Sequence, residues 1–468
     1  MNVELTQAPA GMKSAGLDER TIMDWLAAAP KRSGDFSVDR PRFSRFWQIS
    51  ADLMARLPAK PQRNAAQSGA AASILAAARE QREHFLAAHA QTLYDALTRE
   101  RTHFIRLEDL VFAAADTVPG LTPPRAQVAA EAQLLQRDKD GVEIDQGIFL
   151  AHVLASESTG RHLCHAMLLP RRETPEYLKK FDIDGRIDFC KVEIERRRNA
   201  AVVTSKNVRF LNAEDDTTLD AMEIAVDVAI LDAKSDVAVL RGGAVEHPKY
   251  AGKRLFGAGI NLTHLYHGRI PFVWYLQRDL GYVNKIYRGL ACADDAPPDE
   301  FGGRTIEKPW IAAIECFAIG GHCQALLVMD YILAERNAFM TLPARKEGII
   351  PGAANMRMPR FVGDRITRQA IQYERRLECD SPEGRLICDE IVEPGAMDAA
   401  LECVVAGLTS SGVVSAAGNR RAIRVAQEPF DMFRSYFAVY AREQAFCHFS
   451  PALIANLERY WNAQARKP

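Results

Sequence analysis

Between about residue 18 and residue 170 no stretch of this chain alternates apolar and polar residues as a half-buried strand must. It shows helical spacing instead, broken by short Pro and Gly signals. The Ala-rich run from Asn64 to Leu97 carries Ile74, Leu75, Phe85, Leu86, Leu93 and Leu97 at a loosely helical period, in a composition dominated by the best helix former. Pro119-Gly120 and Pro123-Pro124 separate helices, and the segment from Pro170 to Pro175 is expected to close the series. At Asp188 the texture changes. Lys191 to Glu195 alternates charged and apolar residues, and Ala200 to Thr204 is an apolar, β-branched run after a charged turn. Residues 216–233 return to helical spacing through Leu219, Met222, Ile224, Val226 and Ile230, and Val237 to Leu240 reads as a buried strand ending at Arg241-Gly242-Gly243. Strand, helix, strand is the unit of an α/β fold. The pattern continues through Pro309 to Ile314, a helix beginning near Gly321, and residues 337–342, before Phe430 to Gln464 turns helical again. The expected division is an all-helical domain over residues 1–185, an α/β catalytic core over 186–429, and a C-terminal helical segment over 430–468.

Composition narrows the partner. With 59 Lys and Arg against 60 Asp and Glu, the chain lacks the basic excess that nucleic acid or an anionic membrane calls for, so a small molecule is expected. No apolar stretch approaches the roughly 18 residues that cross a bilayer, and the N-terminal residues show no signal-peptide pattern. The expected location is the cytoplasm. Nine scattered cysteines without a C-x-x-C pair read as free thiols. The pairs His162/His165 and His264/His267 lack the further ligand of a zinc signature, so no metal is expected. Neither G-x-G-x-x-G nor G-x-x-x-x-G-K-[ST] occurs in a setting that would cradle a nucleotide cofactor.

Four segments, in order, carry a resemblance. They are Arg209-Phe-Leu-Asn-Ala213 with the strand ending at Gly243, Lys253-Arg-Leu-Phe-Gly-Ala-Gly-Ile-Asn-Leu262, the run from Lys308 to His322, and Glu347-Gly-Ile-Ile-Pro-Gly-Ala353 on to Met358. Together they resemble the crotonase (enoyl-CoA hydratase/isomerase) superfamily. The resemblance implies a spiral core of repeated ββα units that binds an acyl-CoA thioester, here behind a long all-helical N-terminal domain and followed by C-terminal helices. It also implies an oxyanion hole made by the backbone N–H groups of Ile260, after Ala258-Gly259, and of Gly321, after Gly320. Chemistry agrees, because a thioester enolate places negative charge on one oxygen, and two backbone donors in a dry pocket stabilise it by several kcal/mol. Close approach of backbone favours Gly beside the donors.

In the superfamily's hydratases two glutamates manage water; the matching positions here hold Gln324 and Ala344, neither of which is an acid or base at neutral pH. Hydration is therefore not expected. Glu214 reads either as part of a helix N-cap with Asp215 and Asp216 or as a group positioning substrate or water. Glu347 is a second candidate base, or a cap or partner of Arg345 or Lys346.

A narrower resemblance rests on the segments His247 to Lys253, Ile260 to Ile270, Trp274 to Gly281 and Gly348 to Pro359. It points to the branch of the superfamily that oxidises dihydroxyphenylacetyl-CoA with O2 to the α-keto acid and free CoA, using no metal, flavin or other cofactor. The implied partners are an arylacetyl-CoA and O2, with no nucleic acid and no membrane, in a homo-oligomer that is a trimer or a dimer of trimers. Ile260, Leu262 and Ile349 would form a dry pocket for O2 beside Gln324, and Ile350 would contact the substrate. His247, Lys249, Tyr250, Lys253 and Arg254 would flank the CoA entrance with Asn261. From the C-terminal helices Arg434 and Tyr440 would help to close it. The alternative is an acyl-CoA isomerase or thioesterase without oxygen chemistry.

Overall fold

The computed structural model describes residues 11–292, 305–410 and 414–468. The N-terminal region is helical throughout: α1 (Glu19–Ala27), α2 (Phe36–Ala55), α3 (Ala65–Leu97), α4 (Leu107–Thr117), α5 (Arg125–Glu131), α6 (Ile144–Ala155), α7 (Glu157–Leu168) and α8 (Thr174–Asp184). The Ala-rich run is the single helix α3. Its start is fixed by a capping box in which Asn64 accepts from the Gln67 N–H at 2.9 Å while the Gln67 side chain accepts from the Asn64 N–H at 3.0 Å. One expectation needs correcting at the end of this region. Pro170 to Pro175 does not close the series, because Pro175 sits in the first turn of α8, where its missing N–H costs nothing. The helix stops instead at Gly185, whose φ of 64° is the left-handed cap conformation that favours glycine.

The α/β part follows as β1 (Arg186–Asp188), β2 (Val192–Arg197), β3 (Ala200–Ser205), α9 (Leu219–Leu231) and β4 (Val237–Gly242). Then come α10 (Leu262–Tyr266), α11 (Val273–Leu280), α12 (Tyr282–Arg288), β5 (Leu290–Ala291), β6 (Thr305–Ile306), β7 (Trp310–Ile314), β8 (Phe317–Ile319) and α13 (Gly321–Leu326). The chain continues through β9 (Tyr331–Glu335), β10 (Phe339–Thr341), α14 (Ala344–Glu347), α15 (Ala354–Arg357), α16 (Pro359–Tyr373), β11 (Leu377–Glu378), β12 (Glu390–Val392) and α17 (Met397–Thr409). It ends in α18 (Val414–Gln427), α19 (Phe430–His448) and α20 (Pro451–Trp461).

The main sheet runs β1-β2-β3-β4-β7-β9-β12, antiparallel at its β1–β3 end and parallel from β3 onward. Strands β4 and β7 are buried along their whole length, as parallel strands covered on both faces must be. Val239, Ile311 and Leu333 pack on α17 through Met397, Leu401 and Val405, while Leu240, Ala312 and Ile332 face the larger core that α9 and the helical region share. A second sheet, β11-β10-β8, stands beside the first, and a parallel bridge joins Gly257 to Ala318 of β8. Buried ion pairs tie the helical region to the core. Arg106, at the start of α4, reaches Glu223 of α9 at 2.9 Å, and Lys285 of α12 reaches both Glu223 and Asp227 at 2.7 Å. Among the described residues no helix is long and apolar enough to cross a membrane.

Candidate active site

Two glycine turns meet at the end of the parallel strands. The first carries Ala258-Gly259-Ile260, the second joins β8 to α13 through Gly320-Gly321. Gly259 has φ 77° and Gly320 has φ 53°, conformations open to glycine. A Cβ on Gly259 would lie 2.8 Å from the Ile319 carbonyl oxygen and 3.1 Å from the Gly321 nitrogen, so the turns touch through bare backbone. Glu214 and Ile260 form a parallel bridge in which the Glu214 N–H donates to Gly259 O at 2.7 Å and the Asn261 N–H donates to Glu214 O at 2.8 Å. This pairing uses both backbone groups of Glu214 and turns the N–H of Ile260 to the opposite side. Gly321 opens α13, where the first N–H groups have no partner within the helix. Two donors thus sit on adjoining turns, as an oxyanion hole requires.

Behind the second turn lies a buried polar cluster that joins Glu214 and Gln324 to three residues given no role by the sequence, Arg278, Asp279 and Tyr282. Arg278 of α11 binds Glu214 through Nε at 2.9 and 3.0 Å, Asp279 and Gln324 through Nη1 at 2.7 and 3.0 Å, and the carbonyl of Gly321 through Nη2 at 2.6 Å. The Tyr282 hydroxyl donates to Glu214 as well. Burial is the largest influence and would raise the Glu214 pKa, but the Arg278 guanidinium together with the neighbouring hydrogen bonds, Tyr282's included, holds the carboxyl below its ordinary value. Asp279 moves the other way, raised by burial. His322 accepts the Gly259 N–H on Nδ1 at 3.1 Å, and burial pushes its pKa down to about 4, so it is a neutral prop for the first turn. Glu214 is not the helix cap that one reading allowed. Helix α9 begins at Leu219, and Asp215 holds that turn by accepting from Thr217 N at 3.0 Å.

A cavity of about 670 Å³ opens in front of the turns. His247, Tyr250, Ala258, Ile260, Asn261 and Leu262 line it as expected, although the Asn261 amide is also held by Asp215 at 2.9 Å. Glu347 lines it too, and sequence reasoning assigned no site role to Phe317 and Phe339 from the small sheet, Tyr460 and Trp461 from α20, or the cations Arg209, Lys346, Arg376, Arg466 and Lys467. Aromatic rings and cations in one wall suit the adenine and phosphates of CoA. Lys249 and Lys253 stay exposed on the loop beside it, and Arg254 is half-buried, with Nη1 3.4 Å from Gly242 O. The expected O2 pocket is not assembled on this cavity: Ile349, Ile350 and Gln324 are not among its lining residues, because the Ile350 N–H donates to Gln444 of α19 at 2.8 Å and Gln324 is turned to Arg278. Arg434 is corrected outright. Its guanidinium is held by the carbonyls of Leu154 and Ala155 at 2.6 and 2.7 Å and does not face the cavity, because α19 packs that side against α6 and α7. Tyr440, on the same helix, is buried beside Asp279 and Arg278.

Asp215, Asp216 and His264 bring possible ligand atoms within 4.8 Å of one another. They are already satisfied by protein: Asp215 Oδ2 accepts from Asn207 and Asn261, both at 2.9 Å, and His264 pairs with Asp216 at 2.6 Å. The other histidine pair is likewise structural, with His162 bonded to Tyr94 OH at 2.7 Å and stacked on Phe104.

Comparison with known proteins now decides the family. The chain is 44% identical over 453 residues to a (3,5-dihydroxyphenyl)acetyl-CoA 1,2-dioxygenase of Amycolatopsis orientalis, covering 97% of this chain and 98% of that one. The chain belongs to the crotonase family. The family model described as Enoyl-CoA hydratase/isomerase matches residues 303–403. Other crotonases are more distant: a short-chain-enoyl-CoA hydratase of Clostridium acetobutylicum is 26% identical over 51% of this chain and 82% of its own. Among solved structures, an enoyl-CoA hydratase of Mycobacterium avium subsp. paratuberculosis aligns with 59% of this chain and 98% of its own at 19% identity and a TM-score of 0.47.

Proposed function

We propose that the chain oxidises (3,5-dihydroxyphenyl)acetyl-CoA with O2 to 3,5-dihydroxyphenylglyoxylate and free CoA, using no metal, flavin or other cofactor. The observation that carries this reading is the 44% identity to a dioxygenase of that name across 97% of the chain, the helical region included. The site's chemistry supports it. Gln324 and Ala344 stand where a hydratase needs carboxylates, while both oxyanion donors are kept. An arylacetyl thioester has an acidic α-carbon, and donors aimed at its carbonyl oxygen favour the enolate over the ground state.

In this reading, loss of one α-proton gives the enolate, which passes one electron to O2. The two radicals recombine into an α-peroxide, which attacks the thioester carbonyl and expels CoA thiolate. Loss of the second α-proton then breaks the O–O bond and leaves a ketone beside a carboxylate. One O2 and one thioester yield one α-keto acid and one CoA. The same two N–H groups serve the enolate oxygen and the oxyanion formed during peroxide attack. Glu214, locked to Arg278, positions the turn that carries Gly321 rather than moving protons. The division into residues 1–185, 186–429 and 430–468 and a trimer or dimer of trimers belong to the same reading; residues 1–10 lie outside the described residues.

The test is incubation of chelator-treated protein with (3,5-dihydroxyphenyl)acetyl-CoA in air and under nitrogen. Equal O2 uptake, thiol release and keto acid formation are expected. Thiol release unchanged under nitrogen would make the protein a thioesterase.

A further inference from the structure

The enolate mechanism needs a base, and the hydratase positions do not supply one. Ala344 opens α14, and Glu347 ends it three residues later, on the same side of that single turn. Both are buried, at 6% and 8% exposure, and Ala344 packs into the hydrophobic core. Glu347 lines the same cavity as Ile260. Its carboxylate oxygens lie 3.8 and 4.0 Å from where a Cβ on Gly320 would be, beside the turn that presents the Gly321 N–H. Among the described residues no hydrogen bond or ion pair engages that carboxylate.

Its surroundings suit proton transfer near neutrality. Burial, with the Glu374 carboxylate at the end of α16 adding to it, pushes the Glu347 pKa up to about 7. Glu374 is itself paired with Lys346 at 2.5 Å and Arg345 at 3.5 Å, and from α11 the buried Tyr275 faces Glu347 with its own pKa raised. The competing groups are engaged. Glu214 is clamped by Arg278 and Tyr282, and His322 accepts the Gly259 N–H. Asp279 is bonded to Arg278 at 2.7 Å and does not line the cavity.

We propose that Glu347 is the base that takes the α-proton of the bound arylacetyl thioester. This rests on the enolate reading above. The α C–H bond breaks, its electron pair passes into the enolate whose oxygen faces the Ile260 and Gly321 N–H groups, and the proton moves to the Glu347 carboxylate. Protonated Glu347 then delivers that proton to the departing CoA thiolate, which restores the carboxylate.

The experiment compares the wild type with Glu347→Gln, Glu347→Asp and Asp279→Asn. Deuterium entry into the α-position of phenylacetyl-CoA is followed under nitrogen in D2O, and CoA release from (3,5-dihydroxyphenyl)acetyl-CoA in air. Glu347→Gln is expected to lose both by at least ~100-fold, with Glu347→Asp retaining part. Wild-type exchange should rise as pH passes through about 7, and that rise should vanish in Glu347→Gln. Glu347→Gln within threefold of wild type, or a loss confined to Asp279→Asn, would overturn the assignment and leave the enolate reading intact. A wild type that neither exchanges nor releases CoA would overturn both.

Discussion

Gly321→Ala isolates the oxyanion hole from the backbone that builds it. Gly321 does not have the positive φ of its neighbour, so alanine meets no backbone penalty there. What it meets is side chain: the new Cβ would stand 2.3 Å from Glu214 Oε2 and 3.1 Å from Arg278 Nη2, where ordinary contact begins at 3.4 Å. The carboxylate cannot swing away cheaply, because Arg278 holds both of its oxygens and Tyr282 donates to one. The turn must therefore yield by about 1 Å, a misplacement that can cost about 100-fold in rate. Losing one oxyanion donor costs about 100- to 1,000-fold, or ~3–4 kcal/mol, so kcat/KM for CoA release is expected to fall into that range. Overpacking of this kind costs about 1–3 kcal/mol of stability, which leaves a folded protein. Gly259→Ala provides the contrast, since φ 77° and a Cβ 2.8 Å from Ile319 O tax the fold and the hole together. Initial rates of CoA release, read beside thermal unfolding of both variants, make the comparison. A Gly321→Ala enzyme within threefold of wild-type kcat/KM would refute the placement of the donor.

Three other perturbations follow from the same contacts. Arg278→Met leaves Glu214 buried without its cation and is expected to cost ~3–5 kcal/mol in a denaturant melt, whereas the double variant Arg278→Met/Glu214→Gln recovers much of that. Arg434→Met should lower the melting temperature by detaching α19 from the Leu154 and Ala155 carbonyls, with KM for the CoA thioester unchanged; a several-fold rise in KM would return Arg434 to the binding site. Glu347 has a folded pKa of about 7 against an ordinary 4.5, so the native state binds the extra proton. Its contribution to stability is complete below pH 4.5 and is lost as pH rises through 7, and Glu347→Gln should therefore unfold at higher temperature than wild type at pH 8 but not at pH 4.

What could be read from the chain and what could not divide along sequence distance. The strands β3, β4 and β7 and the Ala-rich α3 announce themselves within a dozen or so residues, because burial on one or both faces imposes a local period. The glycine turns are equally local: Gly259 and Gly321 stand in short motifs, and it is the resemblance of those motifs to the superfamily that implies an oxyanion hole there. The Arg278–Glu214 clamp is different. Its partners are 64 residues apart, and nothing in Trp274 to Gly281 distinguishes a guanidinium aimed at a carboxylate from one aimed at water, although that segment was part of the narrower resemblance. Arg434 failed for the mirror reason. A basic residue in a C-terminal helix was read as facing CoA, yet helix phase alone does not say which neighbour each face meets, and α19 turns Arg434 toward α6 and α7 while Tyr440 looks toward Arg278. Glu347 lies between these cases. Its distance from Ala344 is visible as i to i+3, but whether that spacing puts the two on one side depends on a helical turn forming there, and the folded chain supplies it as α14, ended by Gly348 at φ 74°, with Glu347 lining the cavity and Ala344 packed in the core. In the reading proposed above, Glu347 enters the cavity one turn beyond the position that resembles the hydratases' glutamate, so a base for enolisation stands where the residues expected to manage water are absent.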